Sequence, residues 1–461
     1  MFDERYEVVV VGAGPAGIFA ALELARHGHA NVLVVEKGTS IDKRHCPARQ
    51  TRCIGCSLCA IMSGWGGAGA FSDGKLTLST EVGGWLAEFV GERELAGLIE
   101  DSDRVWLEYG ATQVVHGPDT EAAERLVRQA TLAGMRLVPM RVRHLGTDHS
   151  PQILSAMRVA LEEAGVTVRL RTDVVRIIAD SGQVRGVELA DGTTVGAEHV
   201  IVAPGREGAE WLAEQAESLG IGLMNNAVDI GVRVEVPAPV MEPLTDELYE
   251  AKLIYHSRGF GDEVRTFCMN PYGEVTTESY GDVVTVNGHS FADEGRRTPN
   301  TNFAILVSQT FTQPFREPIT YGKSIAHLAN ILGDGIIVQR LGDLRAGRRS
   351  TAKRLDTSLV RPTLPNATPG DLSFVLPYRH LADLLEFLDA LDRLAPGVNG
   401  PDTLLYGVEV KFYSSRLELD SDLQSQVRGL FAVGDGAGVT RGLMQSSASG
   451  LVAARAILEG R

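Results

Sequence analysis

Three glycines, an acid and four cysteines crowd the first sixty residues, and each set has a chemistry that suits its spacing. Gly12, Gly14 and Gly17 punctuate Gly-Ala-Gly-Pro-Ala-Gly, with Pro15 and Ala16 in the same turn, and Glu36 follows 19 residues after Gly17. Gly12 permits a tight turn, Gly14 lets backbone approach a pyrophosphate, and Gly17 lets a helix pack on a strand. The N–H groups and dipole of a helix opening at that turn favour phosphate. Glu36, with Lys37 beside it, stands where an acid binds both ribose hydroxyls of an adenosine and would repel a 2′-phosphate. Together these residues read as a dinucleotide site. Cys46, Cys53, Cys56 and Cys59 follow as C-x6-C-x2-C-x2-C. Two C-x2-C steps sharing a cysteine match iron–sulfur or zinc ligand spacing. Lys43, Arg44, Arg49 and Arg52 around them would lower thiol pKa values. Three readings stay open: a bound metal or cluster, a redox dithiol, and reduced cysteines with a packing or regulatory role.

Strands and helices must place these groups. Val8–Val11 is an apolar, β-branched run, as a buried parallel strand requires. Ile18–His27 has helical composition, and Val32–Val35 is a second buried strand ending at Glu36. After the cysteines, Gly64, Gly66, Gly67 and Gly69 put four glycines in six residues. Such a run resists regular structure and permits close backbone contact with a flat ring. Trp65 and Phe71 give it apolar anchors, and Ser72 and Lys75 follow. A third piece, Val200-Ile-Val-Ala-Pro-Gly205, ends in a turn at Ala203 and Gly205. Near the end of the chain, Gly434 and Asp435 lead to Gly442, Leu443 and Met444 at the start of a small-residue helix containing Ala448, Ser449 and Gly450.

This last piece resembles the second FAD signature of two-dinucleotide-domain flavoproteins. The resemblance implies that Asp435 binds a ribityl hydroxyl. It also implies that the helix from about Leu443 points its positive end at the flavin pyrimidine, which would stabilise an anionic reduced ring. In related flavoproteins a glycine-rich loop lies over the flavin, and the residue at the position of Val174 touches the adenine through backbone. In disulfide-reductase flavoproteins a cysteine pair follows the same second strand. The blocks GWGGAGAFSDGKL, RHLGTD, DIGVRVEVP, RTFCMNPYG, NTNFAILV, LLYGVEVKFYS and GDGAGVTRG resemble the uncharacterised bacterial FAD-dependent dehydrogenase family, within the NAD(P)/FAD-dependent oxidoreductase superfamily. That resemblance runs from about residue 7 to residue 455 and implies an FAD enzyme without naming a substrate. The chain has no second GxGxxG between a strand and a helix, so NAD(P)H as a reductant would need another site. Ala203-Pro204-Gly205 stands where aromatic hydroxylases carry Asp-Gly, which speaks against a flavin monooxygenase.

With 461 residues the chain holds about two to three domains. The expected class is α/β: a Rossmann-type FAD-binding domain with an antiparallel insertion, and a discontinuous α+β substrate domain. Residues 1–224 and 405–461 form the first and 225–404 the second. Helices are expected over 85–108 and 119–134, and a strand over Met135–Val142. Val166–Leu170, Val174–Ala179, Val184–Leu189 and Val195–Val202 are expected to form the antiparallel insertion, with a hairpin at Asp191-Gly192. In the substrate domain, strands are expected at Asp229–Glu235, Arg265–Met269 and Phe303–Ser308.

The formal charge of −15, from 59 acidic and 44 basic residues, disfavours nucleic acid and anionic membrane as partners. The longest uncharged run, Cys53–Ser72, carries five glycines and reads as a loop, not a membrane span. Without a signal-like start the chain is expected in the cytoplasm. Hydride transfer to or from carbon needs a proton moved as well, and His144, Asp148, Tyr255, His256 and His289 are the candidates. Arg265 and Arg348 could anchor a substrate carboxylate through bidentate contact, or serve in structural ion pairs. Arg345, Arg348, Arg349, Lys353 and Arg354 form a basic patch that could hold an anionic substrate or electron donor, or be salt-bridged. Two redox classes follow. One is a dehydrogenase or reductase acting on a C–C or C–N bond of a small or carrier-bound molecule. The other is an electron-transfer flavoprotein in which the cysteines, or an iron–sulfur cluster on them, relay electrons from a donor protein. A non-redox isomerase or binding protein that uses FAD is the third reading.

Overall fold

The computed structural model describes residues 2–29, 31–46, 56–71, 74–117, 120–138, 140–145, 149–224, 227–280, 283–290, 294–309, 311, 318–411 and 416–460. The chain divides into two compact units. Met1–Val115, Val142–Asn226 and Ser414–Arg461 form the first, and His116–Arg141 with Ala227–Tyr413 form the second. The excursion His116–Arg141 was expected in the FAD domain. It falls in the second unit because Arg136–Val138 pairs there with Lys252–His256. The return near 405 comes later, since Leu404–Lys411 is a strand of the second unit.

The first unit is built on a seven-stranded sheet. Thr167–Leu170, Val32–Glu36, Glu4–Val11, Thr194–Val202 and Leu430–Ala432 run parallel in that order. Val10 lies level with Val34 on one side and Ile201 on the other. These strands are fully buried over Val8–Val10 and Val32–Val34, and apolar runs without alternation suit that position. Gln183–Leu189 and Val174–Asp180 extend the sheet antiparallel. The Asp191-Gly192 hairpin therefore forms, but Val166–Leu170 departs from expectation. It is a parallel strand beside Val32–Glu36 and not part of the insertion. Pro15–Arg26 and Leu443–Leu458 are the helices nearest the glycine turns, and Glu92–Glu108 and Ser150–Glu163 complete the first core. The expected 85–108 helix breaks at Gly91, between Ala87–Val90 and Glu92–Glu108.

The second unit carries an eight-stranded sheet. Its order is Thr368–Pro369, Ile337–Arg340, Leu404–Lys411, Val228–Pro237, Asn300–Gln309, Glu263–Asn270, Lys252–His256 and Arg136–Val138. Every pair is antiparallel except the first. Ala238–Leu248, Pro318–Gly333 and Tyr378–Leu391 pack its apolar residues into a second core. The mixed α/β architecture matches the expected Rossmann-type class. Among the described residues no helix is long and apolar enough to cross a membrane.

Candidate active site

The glycine turn, the Ala203–Gly205 turn and the C-terminal turn meet in the first unit. Gly12 takes φ +102°, and a Cβ there would lie 2.2 Å from the Ala203 carbonyl oxygen. The Ala203 N–H donates to Val11 O at 2.7 Å. A Cβ on Gly436 would lie 2.4 Å from Gly205 O. A Cβ on Gly450 would come within 2.1 Å of Ala16 O, so only a bare Cα lets helix Leu443–Leu458 press against helix Pro15–Arg26. Neither helix has a side-chain cap, at Gly14 or at Gly442, and neither carries an acid in its first turn. Their leading N–H groups are therefore left for a ligand. Met444 is buried just inside the second helix. Asp435 sits between the turns. Its Oδ1 accepts from Thr440 Oγ1 at 2.8 Å and from Gly442 N–H at 3.3 Å. Burial raises its pKa, against the opposing pull of Arg206.

The glycine-rich loop lies on the first turn. Gly66 N–H donates to Ala13 O at 2.7 Å, and a Cβ on Gly67 would lie 3.0 Å from Gly14 Cα. Gly69 faces Leu443 in the same way, at 2.2 Å from its Cδ2. Glu36 is buried and accepts three backbone N–H groups: Ala13 on Oε2 at 2.9 Å, and Gly38 at 2.8 Å and Gly64 at 2.9 Å on Oε1. A carboxylate has about four acceptor positions, so one remains for a ribose hydroxyl rather than the two expected. Lys37 pairs with Glu207. Val174 is buried at the head of its strand. Ser72 lies outside the described residues. Lys75 begins the short strand Lys75–Thr77, directly opposite His144 of Val142–His144.

A strap at 80–86 was not anticipated. Gln445 Nε2 donates to Val82 O at 3.1 Å, Trp85 N–H to Val439 O at 2.9 Å, and Arg441 N–H to Gly83 O at 2.6 Å. The Arg441 guanidinium stacks 4.3 Å from the Trp85 ring centroid. Gly83-Gly84 was the only signal in the sequence for this contact.

Residues 7–225 match the family described as FAD dependent oxidoreductase, and residues 228–412 match the FAD-dependent protein, C-terminal domain-like family. The chain is an FAD-dependent oxidoreductase. It is 28% identical to an uncharacterized protein of Clostridium beijerinckii, across 98% of this chain and 80% of that protein. It is also similar to solved structures. One is the 3-ketosteroid-delta4-(5alpha)-dehydrogenase from Rhodococcus jostii RHA1, at 14% identity over 98% of this chain and 97% of that one, with a TM-score of 0.46. Another is the L-proline dehydrogenase from P. horikoshii, at 13% identity over 99% and 94%, with a TM-score of 0.41.

The residues of this oxidoreductase's first unit fit FAD on their own chemistry. The bare turn at Gly12–Gly17 and the uncapped helix at Pro15 suit the pyrophosphate, Glu36 offers one acceptor for a ribose, and Asp435 keeps Oδ2 for a hydroxyl. Cys46 is a half-buried free thiol, and Cys56 and Cys59 are exposed free thiols. Cys53, Arg49 and Arg52 lie outside the described residues. No group of three or more His, Cys, Asp or Glu side chains among the described residues could hold a metal ion. Arg44 donates to the backbone carbonyls of Ala60, Ile61, Trp65 and Gly67.

The candidate catalytic residues scatter. His144 is half-buried at the end of its short strand, and Asp148 lies outside the described residues. His256 and His289 are exposed at strand ends, opposite Glu263 and Glu274. Tyr255 is buried, and its hydroxyl reaches Glu386 at 3.5 Å. Arg265 is buried in an ion pair with Asp229. Arg348 is paired to Asp343 at 2.8 Å, and Arg345 to Asp389 at 2.7 Å. Asp343 also accepts from Ser350 and lies near Arg340 and Arg354. Burial alone would raise its pKa, yet Ser350 and the arginines hold it below the usual carboxylate range. These members of the basic patch are thus salt-bridged.

A buried polar network in the second unit went unread. Arg233 and Glu409 are both wholly buried and share two 2.8 Å hydrogen bonds. Arg233 also donates to Asn302 Oδ1 at 2.8 Å and Cys268 O at 3.1 Å. Lys411 bridges Glu409 at 3.2 Å and Glu278 at 3.3 Å. Glu235 accepts from Thr363 Oγ1 at 2.6 Å, Tyr406 Oη at 2.5 Å and Asn300 Nδ2 at 3.0 Å. The signal was present in DIGVRVEVP, where Asp229, Arg233 and Glu235 alternate with Ile230, Val232 and Val234.

Proposed function

We propose that this oxidoreductase moves a hydride to or from a C–C or C–N bond of a small or carrier-bound substrate, and that its second unit binds that substrate. The observation that carries the reading is the polar face of the eight-stranded sheet. Along Val228–Pro237, Asp229, Arg233 and Glu235 occupy one face, while Val228, Ile230, Val232, Val234 and Val236 line the apolar one. Two strands along the sheet, on Glu263–Asn270, Phe267 is half-buried, with the Arg265 guanidinium 5.3 Å from its ring centroid and Lys411 Nζ 5.8 Å from it. Burying so many charges has a cost that apolar residues would avoid, so a polar face retained on a sheet is a candidate recognition surface. Bound FAD supplies acceptance and donation of a hydride. Arg265 and Lys411 orient an electron-rich or anionic substrate over Phe267, while Asp229 and Glu409 hold those cations in place.

The test is anaerobic titration of the yellow holoenzyme with amino acids, secondary amines, and saturated and unsaturated carbonyl compounds. Bleaching of the flavin band by one carbon substrate class is expected. An Arg265→Gln variant should then raise KM for it by about tenfold while retaining FAD. Bleaching only by a dithiol or a protein electron donor would overturn the reading in favour of a cysteine-linked electron-transfer role. Parallel titration with NADH and NADPH shows whether a nicotinamide reduces the flavin directly.

A further inference from the structure

We infer that Arg44 is a positioning residue for the FAD site, acting through the glycine-rich loop. Arg44 is almost wholly buried, and its guanidinium donates to a set of backbone carbonyls. Nε donates to Ala60 O at 2.9 Å, Nη2 to Ile61 O at 2.7 Å, and Nη1 to Trp65 O and Gly67 O, each at 2.8 Å. A loop rich in glycine has no ladder to satisfy its carbonyls, and a buried carbonyl left unpaired is costly. A planar fork with five donors can collect several at once. Lysine, a single point of charge, cannot span the same set.

Glu36 does the converse from the other side. It accepts the Gly64 N–H of the loop and the Ala13 N–H of the dinucleotide turn on one carboxylate. The loop is thus held by its carbonyls through a cation and by its N–H through an anion. The packing is tight where they meet. Gly64 has φ +122°, and a Cβ there would lie 2.7 Å from Arg44 Cδ. The fixed loop sets Gly67 against Gly14, the residue that must let a pyrophosphate approach. Through Ala60 and Ile61, Arg44 also holds the chain that leads into the loop. The inference rests on the FAD site described above and adds a residue that acts on it through the loop.

The experiment compares the wild type with Arg44→Lys and Arg44→Met. The readouts are the FAD dissociation constant, the visible circular dichroism of the bound flavin, and amide hydrogen exchange. Both variants should weaken FAD by about tenfold or more and alter the flavin band. Exchange should quicken in 60–67 while the strands Glu4–Val11 and Val32–Glu36 stay protected. A Glu36→Gln variant should quicken exchange in the same segment. Wild-type affinity with an unchanged flavin band in both Arg44 variants would overturn the inference. So would exchange that quickens throughout the first unit, because Arg44 would then be a general stability residue. If the wild type takes up no FAD, the cofactor assignment fails instead. Exchange of 60–67 in the free protein then decides the role of Arg44 alone.

Discussion

The glycine-rich loop of the first unit and the eight-stranded sheet of the second satisfy buried charge in different ways. In the glycine-rich loop region, the Glu36 carboxylate accepts three backbone N–H groups and the Arg44 guanidinium donates to four backbone carbonyls. In the second, Arg233 meets Glu409, Arg265 meets Asp229, and Lys411 meets Glu278 and Glu409. The difference follows from the local backbone. Around Gly64–Gly67 the chain is irregular, so its peptide groups are free to pair with side chains. In the eight-stranded sheet the peptide groups are already committed to the ladder, and a buried side-chain charge must find another side chain. Charge fixes an irregular loop in one region and fills a buried polar sheet face in the other.

Breaking the second pattern should have the largest effect. An Arg233→Met variant leaves Glu409 buried beside Lys411 alone, and losing one partner of a buried pair costs about 3–5 kcal/mol. Adding Glu409→Leu removes the orphaned charge, so the double variant should be more stable than Arg233→Met by a measurable margin in urea unfolding. Additive losses would mean that the pair is not coupled, and that Asn302 and the Cys268 carbonyl carry the energetics of Arg233 instead.

These two patterns were not equally legible in the sequence. The turn at Gly12–Gly17, Glu36 and the Gly434-Asp435 turn could be read because their chemistry is local and their spacing is fixed by one strand, one turn and one helix. The parallel sheet followed from the same apolar runs. The role of Arg44 could not be read, because its partners are carbonyls 16 to 23 residues away, and every residue type offers the same carbonyl. Its neighbours in sequence were cysteines, which drew it towards thiol chemistry. Arg233 and Glu409 lie 176 residues apart, so their pairing depends on strand order. Period-two alternation in DIGVRVEVP does show that one face of that strand is charged. It is silent on what neutralises it. The same limit applies to Lys75 and His144, assigned to different roles and found opposite each other in one short ladder.

A smaller effect distinguishes charges that are paired from charges that are merely buried. His380 and Asp383 lie one turn apart on helix Tyr378–Leu391; neither His380 ring nitrogen has a hydrogen-bond partner, and the Asp383 carboxylate faces Ser257 and Asp262. Burial lowers the His380 pKa to about 4. Burial, and then the neighbouring Asp262, raise Asp383 to about 6, while Arg379 holds Asp262 ionised through two 2.5 Å bonds. Asp383 binds its proton more tightly when folded, so its contribution to stability is full below about pH 4 and is lost as pH rises through 6. His380 binds its proton less tightly when folded, so its contribution is full above about pH 6.5 and is lost as pH falls through 4. The two slopes oppose each other in one window. Replacing Asp383 by Asn should therefore make stability, relative to wild type, fall as pH drops from 6.5 to 4.5. Replacing His380 by Leu should make it rise over the same range. Urea midpoints at three pH values check this, and variant curves parallel to wild type would show that the two groups do not titrate in opposition.

The smallest expected effect is at the surface. Arg348 is 55% exposed and pairs with Asp343, which keeps Ser350, Arg340 and Arg354 when Arg348 is removed. An exposed pair in water contributes about 0–1 kcal/mol, so Arg348→Ala should barely shift the unfolding midpoint. Its value lies in the kinetics. If the basic patch is only a salt-bridged surface, KM for whichever substrate bleaches the flavin stays at the wild-type value, in contrast to Arg265→Gln. A tenfold rise in KM at Arg348 with no such rise at Arg265 would move the substrate site from the polar sheet face to the patch around Asp343. The buried ion pairs of the sheet would then serve stability and not recognition.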